Sequence, residues 1–265
     1  MTALPASAPA LRLENVGIGF RGVRALDAVT FDVPSGGVSA VIGPTGAGKT
    51  TLFNCISGIY RHEGTIALYG ERLDGLRAFR RAKAGIARTF QTPALIDDQD
   101  VLSNVMLGTH VRTSAGLLSH TLRTPRGTHE EKAATRWATE MIDRVGLAAH
   151  LSTPAGALSH GDRRRIEIAR ALVSDPTLLM LDEPAAGLSE EESIALMDLI
   201  VAHGAETGMT CVLVEHDVAL VMKYAATIAV LDAGHVLAHG TADEIRRNPE
   251  VIAAYLGSDV ETDAA

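Results

Sequence analysis

Of the 265 residues, 46% are apolar and 21% charged, ordinary proportions for a soluble globular chain able to bury a substantial core. The net charge, 24 basic against 32 acidic residues or −8, argues against a nucleic-acid partner. Cys55 and Cys211, the only cysteines, stand in no metal-like or CxxC spacing, which argues against a disulfide scaffold and fits a reduced, cytosolic compartment.

No stretch approaches the ~18–20 continuous apolar residues that cross a bilayer, so any membrane role is expected to be peripheral. Residues 1–10, with Pro5, Pro9 and no basic cluster, read as a flexible tail and not a signal peptide. Leu11 to Phe20 and Ala28 to Val33 alternate as strands of an antiparallel sheet. Val38 to Ile42 is an apolar run of the buried-strand kind. It leads into Gly43-Pro44-Thr45-Gly46-Ala47-Gly48-Lys49-Thr50, after which Thr51-Leu52-Phe53 opens a helix. A strand, a glycine-rich loop and a helix in that order make a phosphate loop, not a chance glycine-rich turn. Glycines let the backbone aim its N–H groups inward at a helix N-terminus. Lys49 reaches the β- and γ-phosphates, and the Thr50 hydroxyl completes a Mg²⁺ shell. The chain is therefore expected to bind a nucleoside triphosphate.

Gly64 to Gly70 reads as a further strand, and Ile86 to Phe90 as another that delivers Gln91. From Val101 to about Gly146 the pattern is helical, broken by a Gly/Ser/Thr/Pro-rich stretch from Thr113 to Thr128. Thr135 to Val145 is the clearest amphipathic helix, with Trp137, Met141, Ile142 and Val145 as its apolar stripe. Leu178 to Leu181 has the character of a buried parallel strand. Helices at Glu190 to Ala205 and Val218 to Tyr224 alternate with strands at Thr210 to Val214 and Thr227 to Leu231. A turn at Asp232-Ala233-Gly234 then leads into a strand from His235 to His239. Such alternation supplies right-handed crossovers. The expected fold is one α/β core, 11–90 and 175–240, with a helical insert over about 91–174 and an acidic, fraying end at 258–265.

The strand Leu178 to Leu181 ends in Asp182 and Glu183. Downstream of a phosphate loop, that pair suits a Mg²⁺ ligand acting through its water shell and a group that polarises an attacking water. Gln91, at the junction of core and insert, is placed to touch Mg²⁺ or the γ-phosphate. A lone loop glutamine is otherwise polar surface. His216, after the strand Thr210 to Val214, can hydrogen-bond the γ-phosphate or the water as a neutral imidazole. By itself it would more often be structural. In Leu158-Ser159-His160-Gly161-Asp162, Ser159 caps a helix, and the N–H groups there and near Gly161 form a second anion site. Arg163-Arg164-Arg165 follows, a run read as a solvated first helical turn and not a nucleic-acid patch. Asp97-Asp98-Gln99-Asp100 reads as a solvated loop and a candidate rim for a basic partner helix.

Taken together, the phosphate loop, Gln91, Leu-Ser-x-Gly before an arginine-rich helix, Asp182-Glu183 and His216 resemble the nucleotide-binding subunit of an ATP-binding cassette (ABC) transporter. The resemblance spans nearly all of 11–257. It implies a P-loop α/β core with an antiparallel β subdomain and a helical signature subdomain. It implies ATP and Mg²⁺ as ligands, contacted by Gly43 to Thr51, and a Phe20 that stacks on adenine. It also implies a head-to-tail partnership with a second such subunit, identical or different. Ser159 and Gly161 would then contact the partner's γ-phosphate, and Ala186-Gly187-Leu188-Ser189 would cross between subunits. Integral membrane permease subunits, and indirectly a substrate-binding protein, are the further partners implied, at the cytoplasmic face of the membrane.

Asn104 to Gly108, Gly116-Leu117-Leu118, Thr124-Pro125, Arg144 to Leu147 and the ending Gly240-Thr241 to Leu256-Gly257 resemble the longer ATPase subunit of branched-chain amino-acid importers. Urea and short-amide importers share many of these features. Asp162 stands where that subfamily usually has glutamine or glutamate, and Ser189 where it has asparagine or aspartate. A soluble ABC ATPase of the iron–sulfur assembly type shares the motifs, and copurification with membrane subunits separates it. A GTPase or kinase would need features missing here: none of the four lysines sits in an Asn-Lys-x-Asp guanine reader.

Overall fold

The computed structural model describes residues 8–90, 94–112 and 125–254, without the side chains of 125–127. Strands β1 (Leu11–Phe20), β2 (Val23–Val33), β4 (Glu63–Leu68) and β5 (Glu71–Arg72) form an antiparallel sheet in the order β2-β1-β4-β5. A second sheet has the order β10-β9-β3-β8-β7-β6. It combines β3 (Gly37–Ile42), β6 (Ile86–Arg88), β7 (Leu178–Asp182), β8 (Thr210–Val214), β9 (Thr227–Asp232) and β10 (His235–Thr241). Its pairs are parallel except for β10 against β9.

The central strands are apolar on both faces because both faces are covered. Leu178 and Met180 point with Val212, Val214 and Leu231 toward the antiparallel sheet, and Leu52, Phe53 and Ile56 of helix α1 (Lys49–Ile56) complete that core. Leu179, Leu181, Cys211 and Leu213 line the opposite face, under α6 (Glu190–Thr207) and α7 (Val218–Tyr224). A third core joins α3 (Val101–Met106), α4 (Pro125–Arg144) and α5 (His160–Leu172) around Val105, Ile142, Ile166 and Ala169. Helix α5 belongs to two cores, since its Ile168 and Leu172 pack on the parallel sheet.

Several elements depart from expectation. β2 starts at Val23 instead of Ala28, and β1 pairs with it through irregular registers. Asn15 and Ala28 take left-handed φ of 52° at those irregularities, which breaks the alternation that marks a strand. β6 stops at Arg88, two residues early. Helix α2 (Ala78–Lys83), β5 and α8 (Ala242–Arg247) give no clear periodic signal and were not expected. The expected features at 116–118 and at Thr124 lie outside the described residues, as do 255–257 of the C-terminal pattern. Among the described residues, no helix is long and apolar enough to cross a membrane.

Candidate functional site

The carboxyl ends of β3, β7 and β8 meet at one edge of the parallel sheet, where an open α/β sheet presents its ligand crevice. From β3 the chain turns through Gly43 at φ 151°, where a Cβ would lie 2.1 Å from the Leu231 carbonyl oxygen. Gly48, at φ 105°, begins α1. Behind the loop, the Gly234 N–H donates to the Ala47 carbonyl at 3.1 Å, and the Asp27 N–H donates to the Gly234 carbonyl at 2.9 Å. The Asp232–Gly234 turn therefore props the loop against β2.

Lys49 is 6% exposed. Its Nζ donates to the carbonyls of Gly43 at 2.6 Å and Pro44 at 2.9 Å. Burial lowers its pKa, while Glu183 and Asp182 act in the opposite sense. Thr45 to Thr51 line a cavity of about 460 Å³ together with Ala25, Glu183 and His216. Its floor of loop N–H groups and a lysine suits phosphates.

Adjacent parallel strands bring the acidic pair and the histidine together, with Asp182 opposite Val214 in the register. The Glu183 N–H donates to the Val214 carbonyl at 2.9 Å, and Glu183 holds a left-handed φ of 50°. Such a conformation is uncommon outside glycine and is retained where the surroundings enforce it. His216 Nε2 donates to Glu183 Oε1 at 2.8 Å. Buried Glu215 supports this corner, accepting the N–H of Ala185 at 2.8 Å and of His216 at 3.1 Å. Burial pushes the Glu215 carboxyl above its ordinary pKa, and the backbone bonds pull the other way. Asp182 is bound by Arg88, Nη2 to Oδ2 at 2.9 Å.

Ser159 caps α5 as expected: its Oγ accepts the Asp162 N–H at 3.1 Å and donates to Asp162 Oδ2 at 2.8 Å. Asp162, the departure from the usual residue, thus orients Ser159. Ser189, the other departure, caps α6 in a reciprocal capping box with Glu192. Gly161, in the first turn of α5, and Gly187, before α6, mark where these two segments meet within one chain. A Cβ on Gly161 would approach Glu192 Oε1 to 2.8 Å, and one on Gly187 would approach the His160 ring to 3.0 Å. Ser159 and Gly161 do not line the phosphate-loop cavity. Neither does Phe20, which is 42% exposed and stacks edge-on against Tyr60, ring centroids 5.2 Å apart. Gln91 lies outside the described residues.

Arg164, expected from the sequence in a solvated helical turn, is instead buried at 1% exposed. Its Nη1 donates to Glu167 Oε2 at 2.6 Å and to the Phe90 carbonyl at 3.0 Å, while Glu167 Oε1 accepts the Phe90 N–H at 2.9 Å. This paired ion holds both backbone groups of the residue preceding Gln91. Asp97 and Asp100 are also engaged: Asp97 pairs with Arg163 at 2.7 Å and Asp100 caps α3. Arg88, Arg164 and Glu167 escaped the sequence reading. The one available signal was a glutamate three residues after an arginine on a helix, a spacing that allows pairing on one face.

Residues 26–186 match the family described as ABC transporter, and residues 235–261 match the one described as branched-chain amino acid ATP-binding cassette transporter. The high-affinity branched-chain amino acid transport ATP-binding protein LivG of Salmonella typhimurium is 40% identical over 252 residues, 95% of this chain and 99% of that protein. BraF of Pseudomonas aeruginosa, described in the same words, is 39% identical with the same coverage. Among solved structures, a nucleotide-free ATP-binding cassette from an ABC transporter superposes with TM-score 0.81 at 28% identity, over 93% of this chain and 98% of that one. The ADP conformation of such a cassette gives TM-score 0.81 and 28% identity, covering 94% and 99%. A phosphate-loop cavity walled by a glutamate–histidine pair, in a chain matched along most of its length, has one family to which it answers: this chain belongs to the ABC transporter family and is one of its ATPases.

Proposed function

We propose that this chain binds Mg·ATP at the phosphate loop and hydrolyses it to drive an importer of branched-chain amino acids. The observation that carries the catalytic part is the Glu183–His216 hydrogen bond on the wall of the cavity lined by Lys49, Thr50 and Thr51. Gly43 to Gly48 and Lys49 hold the phosphates. Glu183 accepts the proton of the attacking water, and His216 fixes the carboxylate and faces the γ-phosphate. The Thr50 hydroxyl and Asp182 carboxylate are hard oxygen donors on two neighbouring elements, a set that suits Mg²⁺. When bound, that ion would supply positive charge to offset that of the phosphates. Gln91 completes the γ-phosphate contacts and Phe20 supports the adenine.

The chain works as half of a head-to-tail pair, with Ser159 and Gly161 closing over the partner's nucleotide. It sits peripherally at the cytoplasmic face of the membrane, bound to permease subunits. The cargo follows from the identity with LivG and BraF and the match over 235–261. The test is uptake of labelled leucine, isoleucine, valine and urea by cells lacking this chain. Uptake of the three amino acids should fall and urea uptake should not. Normal amino-acid uptake with lost urea uptake would transfer the assignment to a urea importer.

A further inference from the structure

We propose that Arg88 is a positioning residue of the hydrolytic site, tying Asp182 to the helix that carries Lys49 and Thr50. The inference rests on the Mg·ATP reading of the site and names a residue that reading does not use. Arg88 is the last residue of β6, beside β7. Its guanidinium donates through Nη2 to Asp182 Oδ2 at 2.9 Å. Through Nη1 it donates to Asn54 Oδ1 at 2.6 Å and Ser57 Oγ at 3.0 Å. The Arg88 and Asp182 side chains are 7% and 4% exposed. The cation also lies 5.6 Å from the Phe53 ring centroid and 5.1 Å from that of Phe90.

A salt bridge that merely neutralised a buried aspartate would need one partner. Arg88 instead divides its planar fork between the end of β7 and two acceptors at the end of α1, Asn54 within it and its C-cap Ser57. Asn54 stands one turn beyond Thr50, so Arg88 spans the two elements from which Thr50 and Asp182 extend. By taking Oδ2, it orients the carboxylate, and Oδ1 would remain for the water shell of a bound ion. Partners of this second-layer kind typically change metal affinity or activity 10- to 100-fold when removed. Lysine cannot reproduce the arrangement, because a point charge on a flexible stem lacks the fixed fork.

The experiment uses the full chain with a non-hydrolysable ATP analogue, titrated with Mg²⁺ and followed by calorimetry, beside steady-state hydrolysis. Arg88→Met and Arg88→Lys should each raise the Mg²⁺ requirement about tenfold or more. Nucleotide affinity in EDTA should stay within about twofold of wild type, because the loop and Lys49 are untouched. kcat should fall while KM for Mg·ATP at saturating Mg²⁺ changes little. Asn54→Ala, which loosens the clamp without stranding Asp182, should move the Mg²⁺ requirement the same way but by less than Arg88→Met, and covers the case in which Arg88→Met does not fold. Wild-type Mg²⁺ dependence in Arg88→Met, full rescue by lysine, or no shift in Asn54→Ala would each overturn the proposal. Asp182→Asn separates the two levels. If it leaves Mg²⁺ dependence intact, the site reading itself is wrong. If it abolishes that dependence while Arg88 variants behave normally, only the role of Arg88 falls.

Discussion

Glu183 carries two demands at once: its Oε1 accepts a hydrogen bond from His216 Nε2 while its backbone is held at φ 50° by the bond to Val214. Glutamine in its place keeps the shape and loses the basic oxygen, so Glu183→Gln should bind ATP with near wild-type affinity and hydrolyse it about 10²–10⁴-fold more slowly. Calorimetry and a phosphate-release assay on one preparation check both halves, and near-normal turnover would remove Glu183 from its role. Glu183 was legible because an apolar strand ending in two acids is a local pattern. Arg88 and Arg164 were not, since their partners Asp182 and Phe90 lie 94 and 74 positions away. Local spacing does not separate Arg164, buried against Glu167 three residues on, from Arg163, which has Glu167 four residues on but pairs with Asp97 at the surface.

At the scale of elements, the end of α4 is fastened to α6. Arg144 pairs with Glu206, and its guanidinium lies 3.5 Å from His203 Nδ1. Burial first, and the Arg144 charge second, lower the pKa of His203 below its ordinary 6.5. The unfolded chain therefore takes up a proton that the folded chain refuses. Stability from this group is complete above pH 6.5 and falls as the pH drops below it, by at most about 1.4 kcal/mol per pH unit. Urea unfolding at pH 7.5 and 5.5 should show a smaller loss for His203→Gln than for wild type. Part of the loss should remain, because burial lowers His239 in the same direction. An unchanged loss would mean that His203 is not the group responsible. Of α4 and the turn after it, Ile142 and Val145 were legible as buried, whereas Ala134 and Ala138 complete the face without a strong apolar signal. Trp137 is half-buried, its ring covered by the Arg112 guanidinium 3.9 Å from the centroid. The early start of β2 was hidden by the bulges, which put polar and apolar residues out of step.

For the whole molecule, the phosphate-loop cavity and the Ser159–Gly161 turn occupy different places on one chain, as a head-to-tail pair requires. Ser159→Arg and Lys49→Ala should each be inactive as purified dimers. Equal mixing of a homodimer makes half the pairs mixed, each with one undamaged composite site, so about a quarter of wild-type activity should return. A mixture as silent as its parents would mean either that the trans arrangement is wrong or that the natural partner is a different chain. The phosphate loop also bears on what variation the molecule tolerates. Gly43 faces the Leu231 carbonyl, and a Cβ on Gly48 would come within 2.8 Å of the Ala25 carbonyl. Both neighbours are backbone and cannot step aside as a side chain could. A mutational library aimed at nucleotide preference would thus lose these positions to misfolding before selection could act. New specificity would have to be sought in the cavity's other walls, leaving the loop an inherited constant.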